Sequence, residues 1–345
     1  MKFFDAHCDT AKRVLDGEAD FFHSDGSVHV SLPGLLAAGV QAQIFAVFVL
    51  SRDHPGEERA RAEEMIATVY RLAEGSQGRL QVVTTSEGLR KSFSGGPIAA
   101  LIGLEGADPL EGKAENLQHF FTLGVRNLIP AWLDNPFSGT AFGSDRSLTP
   151  EGEKLVQLAE ELGVMVDVSH LSDSAFWRTL AVTEKPLVAS HSNCRALCPS
   201  PRNLTDEMIR ALADRGGVMG INLSPGFLDP EYYERTRPLV RRLLQEEVPE
   251  EEKERLRAEL KKIPRPELGW IARHVRHAIQ VGGEDVIGLG GDLDGISATP
   301  LGIDTVADYA LLPELLERAG LAPRQVEKVC YGNFLRVFSE VLPQG

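Results

Sequence analysis

Short apolar runs alternate with charged, amphipathic stretches along the whole chain. Eight segments read as strands: 3–9, 41–49, 98–105, 125–132, 164–170, 186–191, 217–223 and 286–292. Most are nearly continuous in apolar residues, as in Ile44-Phe45-Ala46-Val47-Phe48-Val49, the pattern of parallel strands buried on both faces. Residues 57–74 are charged and amphipathic, as a surface helix requires. Thr149-Pro150-Glu151 combines an N-cap with a proline in the first turn, and Gly163 marks the stop. Ser172 and Thr205 open two further helices by the same logic. Strand–helix alternation repeated eight times predicts an α/β fold, a (β/α)8 TIM barrel forming one domain over residues 1–345. Residues 229–268, with the charged run from Glu246 to Arg255, break the spacing. They predict a solvated helical insertion between strands 7 and 8, with a lid over the barrel mouth as the sharper alternative.

Composition narrows the class. Hydrophobic residues make up 43% of 345, enough for a large core, and the formal charge is 36 − 50 = −14. Such an excess of acid argues against a nucleic-acid partner and offers no basic patch to an anionic membrane. The four cysteines, at 8, 194, 198 and 330, form no CxxC pair, which fits a reduced, cytoplasmic protein. Met1-Lys2 runs straight into the first strand, no apolar run reaches spanning length, and Val341-Leu342-Pro343-Gln344-Gly345 is no anchor. The expectation is a cytoplasmic protein without membrane attachment.

The chemistry collects at the strand ends, where barrels of this kind carry their reacting groups. Read in order, these ends supply His7 and Asp9, then Glu105, His170, His191 and Asp292. Imidazoles and carboxylates are the ligands a zinc-like ion takes. Residues two apart on a strand share a face, so His7 and Asp9 are expected to converge. A single His-x-Asp is weak evidence; five strand ends of one chemistry predict a metal centre.

The segments Asp5-Ala6-His7-Cys8-Asp9-Thr10, Gly103-Leu104-Glu105-Gly106, Val166-Asp167-Val168-Ser169-His170 and Ala189-Ser190-His191-Ser192 resemble the membrane dipeptidase (renal dipeptidase-like) zinc peptidases of the amidohydrolase superfamily. Pro201-Arg202-Asn203-Leu204-Thr205-Asp206 and Gly288-Leu289-Gly290-Gly291-Asp292-Leu293-Asp294-Gly295 extend the likeness over nearly the whole chain. The resemblance implies two Zn2+ ions, with Mn2+ or Co2+ left open. His7 and Asp9 would hold one, His170 and His191 the other, and Glu105 would bridge them. It implies hydrolysis of a dipeptide, or a similar small carboxylate-bearing amide, by a metal-bridging hydroxide. Asp292 would shuttle the proton and Arg202 would take the substrate carboxylate. A homodimer is implied by resemblance alone. The alternatives are a related amidohydrolase (an N-acyl-amino-acid deacylase or cyclic-amide hydrolase) and a non-catalytic metal-binding homologue.

One position departs from the family. Aligned through Gly124-Val125-Arg126-Asn127-Leu128, the histidine that ends strand 4 in relatives is Trp132 here. Indole donates one hydrogen bond but cannot cycle a proton, so Trp132 is expected to wall the acyl side or stabilise the oxyanion, with Asn135 as a replacement donor. Other features read as structural. Arg202 has a surface alternative, pairing with Asp206 or Glu207. His274 and His277 are expected on the outer face of a helix, Cys8 in the core, and Asp294 in a turn. The glycines at 288, 290 and 291 are expected to mark close packing rather than a phosphate loop.

Overall fold

A computed structural model describes residues 1–24, 26–245 and 248–345; Glu246 and Glu247 of the charged run lie outside the described residues. Its strands are β1 (Phe3–Cys8), β2 (Val40–Phe48), β3 (Leu80–Val82), β4 (Ile98–Glu105), β5 (Val125–Ile129), β6 (Met165–Val166), β7 (Val188–Ala189), β8 (Val218–Ile221) and β9 (Ile287–Leu289). All pair in parallel in the order β6-β5-β4-β2-β1-β9-β8-β7. The two ends of that order meet. Asp167 and Val188 form a parallel bridge, and the Val168 N–H donates to the Val188 carbonyl at 2.8 Å. Eight strands therefore close the expected (β/α)8 barrel. β3 was not expected; it is three residues long and pairs only with the first half of β4.

The Asp167 carboxylate stitches the seam. Its Oδ1 accepts the N–H groups of Ser169 and Ser190 at 3.0 Å each, and its Oδ2 accepts from Asn127 Nδ2 at 3.0 Å. Strands of only two residues leave backbone groups unpaired here, and the carboxylate supplies their acceptors.

The helices that pack around the barrel include α1 (Glu58–Gly75), α2 (Pro150–Leu162), α3 (Asp173–Val182) and α4 (Asp206–Asp214). The last three begin where the capping signals place them. Thr149, Ser172 and Thr205 each accept a backbone N–H of the first turn, and Gly163 ends α2 at φ +74°. The insertion consists of α5 (Pro230–Leu243) and α6 (Glu250–Leu260), before α7 (Gly269–Gly282) leads into β9.

The last helix, α8 (Asn333–Val341), plugs the barrel floor. Phe334 and Phe338 pack on Phe4 of β1 with ring centroids 5.6 and 5.3 Å away. Small inward residues such as Ala6, Ala42 and Ala99 leave room for these rings. With one end filled by aromatic side chains, the opposite mouth is the end open to chemistry. No helix among the described residues is long and apolar enough to cross a membrane.

Candidate active site

The site is built where strands give way to loops at the open mouth. His7 is the penultimate residue of β1 and Glu105 the last of β4. β1 stops at Cys8, and pairing is irregular between Asp5 and Cys8, so Asp9 lies at the cap of the short helix Thr10–Leu15 rather than on the strand. His7 and Asp9 nevertheless meet, with Nε2 and Oδ2 3.6 Å apart.

His191 lies two residues beyond β7. His170 and Asp292 sit in tight turns after β6 and β9, with φ of +70° and +56°. This left-handed backbone is sparsely populated by non-glycine residues and clusters at functional sites. The Leu171 N–H closes the first turn onto the Val168 carbonyl at 3.2 Å, and the Asp292 N–H donates to the His7 carbonyl at 3.1 Å.

Glu105 lies between two sets of donors. Its Oε2 is 3.3 Å from His7 Nε2, while its Oε1 is 3.0 Å from His170 Nε2 and 3.7 Å from His191 Nε2. Three groups each bring their ligand atoms within 4.8 Å of one another: His7–Asp9–Glu105, Glu105–His170–His191, and His7–His191–Asp292. The sequence-predicted donors all come together.

The donor chemistry fits divalent cations. Both ring nitrogens of His7 are buried without a hydrogen-bond partner among the described residues. The Nε2 atoms of His170 and His191 face each other at 2.8 Å, and His191 Nδ1 is engaged by Ser190 Oγ at 2.7 Å. Assigning the Nδ1 proton to that contact leaves the His191 Nε2 lone pair aimed into the cluster. Buried imidazole nitrogens and carboxylates crowded this closely suit a cation between them. The residues fit a two-metal centre of the zinc-peptidase kind, with Glu105 shared between its halves.

The electrostatics agree. Burial works against a charged His7, but Glu105 and Asp9 outweigh it and raise the imidazole pKa well above its ordinary value. Burial, then Glu105, pushes Asp9 up to about 6. Burial depresses both His170, to about 3 with help from Arg202, and His191. Burial lifts Asp292 to about 7. Asn222 Nδ2 fixes that carboxylate by donating to Oδ2 at 2.8 Å.

Arg202 is no surface residue. Its side chain is buried beside the cluster, donating from Nη2 to the His191 carbonyl at 3.1 Å and from Nη1 to Ser192 Oγ at 3.3 Å. Its Nε is buried with no hydrogen-bond partner among the described residues. The expected surface partner Asp206 instead binds His277 at 2.7 Å.

Trp132 is half-buried, with its ring 4.9 Å from Phe48 and 5.7 Å from His170, so it walls the site beside a donor. Asn135 cannot replace the missing histidine. Its Oδ1 accepts from Phe137 and Ser138 N–H and its Nδ2 donates to Asp108 Oδ2 and the Pro130 carbonyl, so the amide is spent on the loop.

His274 also differs from expectation. It is fully buried, with Nδ1 accepting the Cys194 N–H at 3.1 Å and Nε2 against the Leu228 carbonyl at 2.8 Å. Cys8 is buried as expected. Asp294 shapes its turn, accepting from Thr10 Oγ1 at 2.7 Å and the His29 N–H at 2.7 Å. The glycines near β9 are close-packed: a Cβ on Gly290 would overlap the Ser190 carbonyl, and one on Gly291 the Tyr309 hydroxyl.

The supporting groups Asp5, Asn222 and Ser190 escaped the sequence reading. Asp5 is buried, accepting from the Gly291 N–H at 2.8 Å and from the Tyr309 hydroxyl at 3.1 Å, which ties β1 to the loop bearing Asp292. Its only signal was a carboxylate inside an otherwise apolar strand.

Residues 1–343 match the family model described as membrane dipeptidase (peptidase family M19). A Klebsiella pneumoniae protein, described as an uncharacterized protein in the pqqA 5′ region, is 32% identical over 301 residues, covering 84% of this chain and 99% of its own length. Human dipeptidase 3 is 29% identical over 330 residues; these cover 93% of this chain and only 59% of that longer relative. Among solved structures, a metallopeptidase described as dipeptidase AC shares the fold at a TM-score of 0.85, with 25% identity and 99% of both chains covered. A Rhodobacter sphaeroides metallopeptidase liganded with a phosphinate mimic of the dipeptide L-Ala-D-Ala shares it at 0.84, with 24% identity and 99% of both chains covered. The family match spans nearly every residue, so this chain belongs to the membrane dipeptidase family.

Proposed function

We propose that this metal-dependent hydrolase of the dipeptidase type cleaves the amide bond of dipeptides, or of similarly small amides ending in a free carboxylate. The observation that carries the reading is Glu105 between His7 and His170, with a buried arginine next to the same cluster. The likeness to a metallopeptidase liganded with a dipeptide mimic supports the substrate class.

His7, Asp9 and Glu105 would hold one cation, and Glu105, His170 and His191 the second. When bound, such ions supply an activated water and polarise the substrate carbonyl. The remaining work falls to the chain. Asp292, steadied by Asn222, accepts the proton of the attacking water and returns it to the leaving amine. Arg202 pairs its open guanidinium edge with the terminal carboxylate, which fixes the distance from chain end to scissile bond. That restriction places the cut one residue from the carboxyl end of the substrate. Trp132 covers the acyl side and keeps bulk water from His170. The chain works as a single domain, since one barrel core carries every one of these residues.

The test is metal analysis of the purified protein alongside turnover of L,L- and L,D-dipeptides and N-acylated amino acids. Two metal equivalents with dipeptide turnover support the reading. Turnover of N-acylated amino acids alone would replace it with a deacylase, and metal without turnover across the panel would make the chain a binding homologue.

A further inference from the structure

Beside the metal-ligand cluster lies a cavity of about 500 Å3 that the proposed chemistry leaves unused. Its lining includes the rings of Phe142, Phe227, Tyr232 and Tyr233 with Val240 of α5 and Leu260 of α6, and α5 also contributes the polar side chains of Thr236, Arg237 and Arg241. The insertion between β8 and β9 thus forms its outer side. Arg202 lies behind the cavity wall rather than in it: its neighbour Pro201 is in the lining, and its guanidinium is 5.5 Å from the centre of the Phe227 ring. The cavity also reaches back towards the cluster, because Ala141, another lining residue, donates its N–H to the His170 carbonyl at 2.8 Å.

We infer that this cavity is the subsite for the side chain of the substrate's carboxyl-terminal residue, and that it selects a bulky aromatic one. The inference rests on the dipeptidase reading, since it needs a carboxylate on Arg202. In any amino acid the side chain leaves the carbon next to the carboxylate. A carboxylate held by Arg202 therefore releases its side chain at the Phe227 and Pro201 wall, the entrance to this space. A cavity of this size exceeds what a methyl or hydrogen fills, and four aromatic rings offer edge and face contacts to a fifth. A glycine or alanine at that position would leave the apolar walls to water. A phenylalanine, tyrosine or tryptophan would cover them.

The experiment uses the metal-loaded protein with L-Ala-L-Phe, L-Ala-D-Phe and L-Ala-Gly. The expected result is a kcat/KM for the better phenylalanine substrate at least tenfold above that for L-Ala-Gly. Val240→Trp and Leu260→Trp, which fill the cavity from two different helices, should each reduce that ratio at least fivefold, mainly through KM. Calorimetric titration with free phenylalanine and free glycine should give the tighter Kd for phenylalanine. Equal kcat/KM values in the wild type, or a ratio unmoved in both variants, overturn the subsite and leave the dipeptidase standing. If no dipeptide is cut, the dipeptidase reading falls, and the subsite is then decided by the titration, where equal Kd values overturn it.

Discussion

His274 should make the protein acid-sensitive in a window its structure defines. The imidazole is buried in α7 and ties two loops together, one through the Cys194 N–H and the other through the Leu228 carbonyl. Burial pushes its pKa down from 6.5 to about 4. Well above pH 6.5 the ring is neutral whether the chain is folded or not, and its contribution to stability is complete. As pH falls from 6.5 towards 4, the unfolded chain binds a proton that the folded chain refuses, so folding weakens. At about 1.36 kcal/mol per pH unit the loss amounts to about 3 kcal/mol by pH 4.

His274→Asn keeps an acceptor near the Cys194 N–H but removes both the titration and the donor to Leu228. At pH 7.5 it should cost about 1–3 kcal/mol for the unsatisfied carbonyl. Urea denaturation of wild type and variant, both metal-free, at intervals from pH 7.5 to 4.5 measures the difference directly. Titrations elsewhere cancel in that difference. The advantage of the wild type should shrink with a slope approaching about 1.4 kcal/mol per pH unit in the acid half of the range. A difference that stays constant across the range would refute the argument, because it would mean that the folded chain takes up the proton as readily as the unfolded one.

Four further outcomes are expected. Asp292→Asn should lower kcat by about 100- to 10,000-fold while two metal equivalents remain by elemental analysis; loss of metal instead would make Asp292 a ligand rather than a proton shuttle. Arg202→Lys should lower kcat/KM on dipeptides by about 100-fold through KM and leave the poor cleavage of C-terminally amidated dipeptides unchanged; an equal loss on both substrates would exclude carboxylate binding. Trp132→Phe should hold turnover within about threefold, because the ring acts by covering His170, and a loss comparable to that expected for Asp292→Asn would assign the indole N–H a donor role. Chelation should lower the thermal midpoint, with about 4 kcal/mol of stabilisation returning at free metal 1,000 times Kd, and reloading should release a proton from His7, whose imidazole Glu105 and Asp9 hold towards the protonated form; an unchanged midpoint would count against metal binding there.

The barrel was legible because parallel strands buried on both faces leave long apolar runs, and because Thr149, Ser172 and Thr205 cap helices with side chains that speak for themselves. The donors were legible because polar residues stand out where apolar runs give way, and six of them do so at five such places. What could not be read was tertiary in origin. β3 gains its strand character only by lying against the first half of β4. The place of the helix outside the barrel, which sent His274 to the surface, says nothing of Leu228, a neighbour 46 residues away, which makes an inward histidine useful. Asn135 looked like a free amide until its loop folded back and used it. Asp5 and Asn222 act through other residues, so no motif of their own betrays them.

The left-handed backbone under His170 and Asp292 bears on how such a chain can decay. L-residues hold that conformation at a cost of roughly 1–2 kcal/mol, which glycine escapes. Mutations there to glycine would relax the turn and abolish the donor in one step. Selection for durability and selection for turnover therefore pull against each other at these two codons. A descendant released from its metabolic duty would drift towards a sturdier, silent barrel, and glycine at either place would be the mark of a retired enzyme.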